Sequence, residues 1–216
     1  MRMHGRVACA VIALAGLAGA TACAEQYLLT ADATPAPIAV AGSPSTVTTE
    51  APTSAKPVPE PTVAKVQKWV KIYSGPSAKN ITPPKSIRTG SRTVELNLTL
   101  NDQIGNYVSD GAGRTLYRFD NDSAKPPKST CNGDCAKTWP PLLIKSPGKI
   151  FPNGINPKIL GYVERADGHC QVTINGWPVY YFSGDAKAGD FRGQGLSGKW
   201  FAVTATGGKT HFLLDR

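Results

Sequence analysis

Three cysteines in the second half of the chain, Cys131, Cys135 and Cys170, are the residues whose type and spacing are best suited to chemistry. Cys131 and Cys135 lie four positions apart, and outside the cytoplasm such a pair most often oxidises to a local disulfide. Cys170 leaves an odd thiol, which predicts either a buried apolar side chain or a partner in thiol–disulfide exchange. A soft-metal site that adds His169 to the three thiols is a third interpretation. It is disfavoured because adjacent residues of a strand point to opposite faces.

A second candidate site is a motif that occurs twice, 63 residues apart, as Gly-x-x-(Leu/Val)-Tyr-x-Phe-x-x-Asp. A tryptophan follows each copy after about twenty residues, Trp139 in the first half and Trp200 in the second. An internal repeat of this length predicts two similar halves packed into one domain. The motif residues are Tyr117, Phe119 and Asp122 in the first copy, and Tyr180, Phe182 and Asp185 in the second.

The motif residues have a structural and a functional interpretation. On a strand, the tyrosine and phenylalanine of each copy share one face, so the four rings predict a shared core. The aspartates Asp122 and Asp185 fall where each strand ends, which predicts carboxylates that cap the backbone N–H groups of a turn. The alternative is a pair of equivalent ligand sites with aromatic floors and acidic edges.

Motifs typical of known catalytic centres are missing from the sequence. It contains no nucleophile elbow, P-loop or zinc-protease motif, and His169 and His211 are far apart in the chain. Asp185 and Asp190 lack the alternating ligand spacing of a calcium loop. We therefore expect no catalytic residue, no bound metal and no cofactor, and we predict that the protein is not an enzyme.

The elements that must position these residues are predicted to be strands. Residues 94–100 alternate apolar and polar side chains, as a half-buried strand does. Asn175-Gly176 between two β-rich runs is a strong hairpin signal. Only residues 135–139 suggest a helical turn, which Pro140 ends. The other predicted strand segments are 107–108, 115–119, 161–165, 170–174, 179–182, and a closing pair at 200–204 and 210–214. The predicted fold is an all-β, mostly antiparallel domain over 93–216, built from two pseudo-symmetric repeats at about 93–150 and 151–216.

The N-terminal region predicts export. Two arginines precede a short apolar run that ends in small residues, which is typical of a secretory signal peptide over residues 1–22. Ala20-Thr-Ala-Cys23 resembles a lipobox and predicts lipidation of Cys23, although the same small residues also suit ordinary cleavage. Residues 23–64 are rich in Pro, Thr and Ala and predict a disordered tether.

Residues 65–92 carry lysines and arginines without an acidic residue, in a chain with a formal charge of +9. This predicts a basic stem, which is either simply solvated or meets anionic envelope polymers or headgroups. Nucleic acid is not an expected partner, because no recognisable nucleic-acid-binding module surrounds the basic residues. The membrane, reached through the lipid anchor, is the expected partner, and no protein partner can be named.

With the motif in view, the chain resembles the bacterial secreted-repeat lipoproteins that carry a Tyr-x-(Phe/Trp/Tyr)-x-x-Asp motif, a family of unknown function common in actinobacteria. The resemblance extends over about residues 94–206 and includes Cys131-Asn-Gly-Asp-Cys135, Arg165-Ala-Asp-Gly168 and Gly184-Asp185. A cysteine at position 170 departs from the family pattern. The resemblance implies a surface-exposed, often lipid-anchored protein without an established catalytic centre.

These observations predict a secreted, lipid-anchored protein of the cell envelope with a non-enzymatic structural or binding role, located at the outer face of the membrane or released. One alternative is an extracytoplasmic redox or electron-transfer component that uses Cys131, Cys135 and Cys170, with or without a metal. The other is a module that binds a cell-wall polymer or a small ligand through the aromatic pairs.

Overall fold

The computed structural model describes residues 59–213. The predicted signal peptide (1–22), the predicted lipidation site at Cys23 and most of the predicted tether (23–64) lie outside the described residues. Between residues 59 and 213, no helix is long and apolar enough to cross a membrane.

The described chain is built mostly from strands, as the alternating segments predict. Twelve strands and one short helix, α1, follow one another along it. Their bounds are β1 Val63–Gln67, β2 Val70–Tyr73, β3 Ser91–Thr99, β4 Tyr107–Asp110, β5 Tyr117–Phe119, β6 Ser123–Ala124, β7 Pro127–Lys128, α1 Asp134–Thr138, β8 Leu143–Asn153, β9 Leu160–Glu164, β10 Cys170–Ile174, β11 Trp177–Pro178 and β12 Trp200–Ala202.

Eight of these strands form one sheet, in which β8 is the longest strand and the common partner. It pairs in parallel with β2 and β3, and antiparallel with β10. The remaining pairs in this sheet, β1–β2, β3–β4, β9–β10 and β10–β11, are antiparallel. A two-stranded sheet joins β5 to β12, and a small hairpin joins β6 to β7. Antiparallel pairing therefore dominates.

The hairpin between β10 and β11 shows how local sequence sets local structure. Ile174 pairs with Trp177, so the loop consists of two residues only. Asn175 and Gly176 have φ angles of 52° and 82°. Both angles are positive, as a type I′ turn requires, and asparagine and glycine are the residues that adopt them most readily.

The predicted basic stem is not separate from the domain. Residues 63–73 form the β1–β2 hairpin, and β2 pairs with β8 inside the main sheet. Val70 and Ile72 are fully buried, whereas Lys71 between them is exposed. This is the alternation of a half-buried strand, which the density of lysines concealed. The folded part therefore begins well before residue 93.

The predicted closing pair at 200–204 and 210–214 forms only in part. β12 takes β5 of the first repeat as its partner, with Trp200 opposite Phe119. The following segment forms no named strand with β12, although a bridge joins Val203 to Lys209 and Thr210 N donates to Ala202 O. The Trp200 and Phe119 rings stack face to face with centroids 4.1 Å apart, which favours the partner across the repeat boundary.

Two hydrophobic clusters lie inside the fold. The first is aliphatic, includes Val70, Leu96, Ile150 and Ile174, and lies against the main sheet. The second, here called the aromatic cluster, is built from Tyr107, Tyr117, Tyr180, Trp139 and Trp200 with Ile104, Cys131 and Ala202. The two copies of the motif supply the centre of the aromatic cluster.

Candidate functional site

The two repeats meet at Tyr117 and Tyr180. The two residues face each other as an antiparallel bridge, with Tyr117 N donating to Tyr180 O at 2.8 Å and Tyr180 N donating to Tyr117 O at 2.9 Å. Both side chains are completely buried. Because the two tyrosines occupy equivalent motif positions, a pseudo-twofold axis passes between them.

Each tyrosine donates its hydroxyl to the aspartate of the other repeat. Tyr117 Oη donates to Asp185 Oδ2 at 2.8 Å, and Tyr180 Oη donates to Asp122 Oδ2 at 2.7 Å. A hydrogen bond to a carboxylate is stronger than one between neutral groups. The motif thus ties the two halves of the domain together by a reciprocal pair of bonds, which we call the crossed Tyr–Asp pair.

The aromatic rings around this pair follow the same symmetry. Trp139 and Trp200 stack at the centre with centroids 3.8 Å apart and planes within 1°. Phe119 stacks on Trp200, and Phe182 packs on Trp139 at 4.5 Å. The four rings form one continuous stack in which each phenylalanine contacts the tryptophan that follows the other copy of the motif. The rings therefore form a shared core between the repeats.

Two arginine–aromatic contacts also cross the repeat boundary. The Arg118 guanidinium lies 3.3 Å from the centre of the Trp177 ring, and that of Arg114 lies 5.1 Å from the centre of the Tyr181 ring. In each case an arginine of the first repeat covers a ring of the second. Tyr181 Oη also donates to Asp110 Oδ2 at 2.9 Å, and Arg114 Nε donates to the same carboxylate at 2.8 Å.

Asp122 lies in a closed environment. The residue is 7% exposed, and besides the Tyr180 hydroxyl its carboxylate accepts from Thr130 N at 2.7 Å and Thr130 Oγ1 at 2.8 Å. Burial raises its pKa above the ordinary value, while the donors from Tyr180 and Thr130 oppose that rise. Burial also raises the pKa of Tyr180, and the negative charge of Asp122 adds to the effect.

Asp185 lies in a more open environment. Besides the Tyr117 hydroxyl, it accepts from Arg192 N at 2.9 Å, within a loop whose residues 186–189 are exposed. Burial raises the pKa of Asp185 to about 6, opposed by the Tyr117 and Arg192 donors and reinforced by the charge of Asp190. Tyr117 itself has a raised pKa, mainly from burial and then from the Asp185 charge.

The loop that closes the Asp122 end is held by Cys131 and Cys135. Their Cα atoms are 5.2 Å apart and their sulfurs are bonded. Cys131 is buried in the aromatic cluster, and Cys135 packs against it half-buried. The bridge spans the start of α1, which delivers Trp139 to the ring stack.

A buried arginine, Arg165, holds the same loop from the second repeat. Its guanidinium donates to Cys131 O at 3.0 Å, Asn132 Oδ1 at 2.8 Å and Ser129 Oγ at 2.6 Å. It also donates to Gln171 Oε1 and to Asp167, so its charge is fully engaged. The sequence places Arg165 at the end of a predicted strand and does not show this role, because its partners in the loop lie 33 to 36 residues away.

A glycine outside the motif, Gly193, packs directly on the rings. Gly193 N donates to Tyr117 Oη at 3.2 Å. A Cβ atom at this position would lie 2.8 Å from both the Trp139 and the Tyr117 rings. Any larger residue would push the loop off the crossed Tyr–Asp pair, so this glycine is required by close approach.

The structure does not assemble the three thiols into one centre. Cys170 packs half-buried against the aliphatic cluster, while Cys131 belongs to the aromatic cluster. Burial raises the pKa of the Cys170 thiol, and Glu164 adds to this rise. A raised pKa lowers the thiolate fraction and with it the reactivity of the thiol.

His169 is exposed and contacts Asp167 through Nδ1 at 3.2 Å. Across residues 59–213, no three His, Cys, Asp or Glu side chains come together in an arrangement that could hold a metal ion.

Comparison with known proteins identifies the repeat. A family model described as a secreted repeat of unknown function matches residues 98–143 and again residues 161–204. The two matched segments begin 63 residues apart, which is the spacing of the motif. The family-model match confirms the resemblance to the secreted-repeat family. Searches of curated proteins and of solved structures each found no match.

Proposed function

Two copies of a secreted repeat make up most of the folded chain, and from this we propose a non-enzymatic protein of the cell envelope, anchored at the outer face of the cell membrane by a lipid on Cys23. The description of the matched family as secreted supports an extracytoplasmic location. The small residues before Cys23 support the anchor.

The observation that carries the non-enzymatic role is the crossed Tyr–Asp pair. The hydroxyls and carboxylates of the motif, the groups most capable of acid–base chemistry, are engaged with one another at 2.8 Å and 2.7 Å. The tyrosines that donate these bonds are completely buried. Such groups stabilise the domain, and they are poorly placed to exchange protons with a substrate. The motif therefore serves to build a stable two-repeat body.

The anchor is tested by a matched pair of cysteine substitutions. We expect Cys23→Ala to move the protein from the membrane fraction to the medium, because the diacyl modification supplies the stable membrane binding that a single acyl chain does not. Cys9→Ala, within the predicted signal peptide, should leave the distribution unchanged. Immunoblots of membrane and medium fractions measure the effect, and an unchanged distribution of Cys23→Ala would exclude the anchor.

A binding role for anionic envelope polymers is the second candidate function, and one observation favours it. Lys71 and Lys149 lie side by side on β2 and β8, both exposed. Neither has an acidic partner within residues 59–213. Two adjacent lysines without counter-charges attract anions from solution.

A further inference from the structure

A cleft lined by basic side chains lies where three segments of the chain meet. Arg88 comes from the loop before β3, Lys145 from the start of β8, and His169 from the turn between β9 and β10. The cleft has a volume of about 240 Å³. The three residues are 24 or more positions apart in the sequence, so the fold alone brings them together.

Arg88 is held in place and keeps most of its hydrogen-bonding capacity. Its Nη2 donates to Lys137 O at 2.6 Å, which fixes the guanidinium against α1. No other hydrogen bond from this guanidinium occurs within the described chain, and a guanidinium carries five N–H donors. Arg88 is therefore able to present a planar pair of donors to an oxyanion.

Lys145 supplies the second positive charge of the cleft, and Gly90 lies beside it. Lys145 is exposed and makes no ion pair with any residue between 59 and 213. Its stem runs beside Gly90, where a Cβ atom would come within 3.5 Å of Lys145 Cγ. The absence of a side chain at Gly90 leaves the floor open beneath the charges.

Two aspartates on segments beside the cleft are each paired with basic groups. Asp134 pairs with Lys137 at 2.7 Å, and Asp167 accepts from Arg165 Nε and from His169 Nδ1. The residues that line the cleft, Arg88, Thr89, Gly90, Leu143, Ile144, Lys145 and His169, include no acidic side chain. The cleft is thus a concave surface that carries Arg88 and Lys145 and has no acidic lining residue, an arrangement that attracts anions.

We propose that this cleft binds the phosphodiester group of an anionic polymer of the cell envelope. The inference rests on the proposed function, which places the domain outside the cytoplasm. A guanidinium held beside an ammonium matches a tetrahedral oxyanion through both shape and charge. Because the cleft is open and concave, a flexible chain passes through it, whereas a flat bilayer meets only protruding side chains. The polymer is therefore the favoured occupant.

Binding is tested with the full-length protein and fluorescently labelled poly(glycerol phosphate), followed by fluorescence anisotropy at about 0.15 M salt, where the Debye length is about 8 Å. We expect Arg88→Ala combined with Lys145→Ala to weaken binding by about 25-fold, since each charge beside an anionic surface contributes about fivefold. The control is Lys187→Ala combined with Lys199→Ala, which removes the same charge from exposed residues away from the cleft. It should weaken binding by less than about threefold.

A third variant separates a lost site from a damaged fold. Asp167→Asn removes the carboxylate that contacts His169, so it should tighten binding of the polymer, an effect that partial unfolding does not produce. The proposal would be overturned if the cleft and control double variants weakened polymer binding equally, or if Asp167→Asn did not tighten it. So would stronger binding to phosphatidylglycerol vesicles or to polyglutamate than to poly(glycerol phosphate). The Cys23→Ala fractionation is independent of this result, so a failed anchor and a failed cleft are distinguishable.

Discussion

Asp122 and Asp185 occupy equivalent positions in the two repeats, and each accepts a hydrogen bond from the tyrosine of the other repeat. Their surroundings nevertheless differ. Asp122 is 7% exposed and receives two more bonds from Thr130, whereas Asp185 receives one more, from Arg192 N in an exposed loop. The motif therefore sets the position of the carboxylate, and the loop that follows sets its environment.

The two loops achieve this in different ways. The first contains the β6–β7 hairpin and the Cys131–Cys135 bridge, and Arg165 of the second repeat is hydrogen-bonded to it. The second, from Ala186 to Lys199, is exposed over much of its length and contains a single short 3₁₀ turn. The two copies of the motif thus share one core geometry, while the loop after Asp122 is closed and the loop after Asp185 is open.

The ring stack contains residues of both repeats, so we expect its disruption to have the largest effect on stability. We expect Trp139→Ala and Trp200→Ala each to lower the free energy of unfolding by about 3–5 kcal/mol, the usual cost of removing a large buried aromatic ring. Urea unfolding followed by tryptophan fluorescence and circular dichroism measures both. Trp69→Ala is the control, because that side chain is 41% exposed. Costs that differ strongly between Trp139 and Trp200 would contradict a symmetric stack.

The comparison between the ends is tested directly by removing each carboxylate. Asp122→Ala leaves the Thr130 N–H, the Thr130 hydroxyl and the Tyr180 hydroxyl without their acceptor, and we expect a loss of about 3 kcal/mol. Asp185→Ala leaves only the Tyr117 hydroxyl and Arg192 N without an acceptor, in a more exposed loop, and should cost about 1 kcal/mol. Asp102→Ala, at an exposed position, is the control in the same urea titrations. The reverse order of the two effects would show that the Asp122 end is not the more closed one.

Local signals in the sequence predict much of this fold. Asn175-Gly176 predicts the turn between β10 and β11, and the alternation at 94–100 predicts β3. Such features depend on neighbours within a few residues, which the chain displays directly. The all-β class follows in the same way, and the internal repeat is visible because the same motif occurs twice.

The central strand and the first hairpin are hidden in the sequence for physical reasons. β8 contains Pro147-Gly148 and Pro152, which are typical of turns, so the strand pattern is interrupted although the strand is the longest in the sheet. In β1 and β2 the lysines suggested a solvated stem, whereas Val70 and Ile72 between them are core residues. Charge on one face of a strand does not exclude burial of the other.

The crossing of the Tyr–Asp pair also lay beyond sequence reasoning. The motif predicts aspartates that cap turns, but each also accepts from a tyrosine that is 68 or 58 positions away. A tyrosine can bond to the aspartate of its own repeat or to that of the other repeat. The motif sequence is the same in both cases. Arg165 is a similar case, since its role depends on a loop from the other half of the domain.

The smallest effect, and the finest test of the difference between the ends, is a pH dependence at Asp185. Its pKa in the folded protein is about 6, above the 3.8 of an ordinary aspartate, so the folded state holds this proton more tightly than the unfolded chain does. Stability from this group is therefore fully present below about pH 4 and is lost as the pH rises through about 6. Because Asp185 is only partly buried, solvent screening reduces the effect, and we expect a loss on the order of 1 kcal/mol across that window. Asp185→Asn, which cannot ionise, should remove this dependence. The measurement is the difference in unfolding free energy between wild type and Asp185→Asn from pH 4 to pH 7, and parallel curves would mean that Asp185 is as well stabilised in its charged form as a free carboxylate in water.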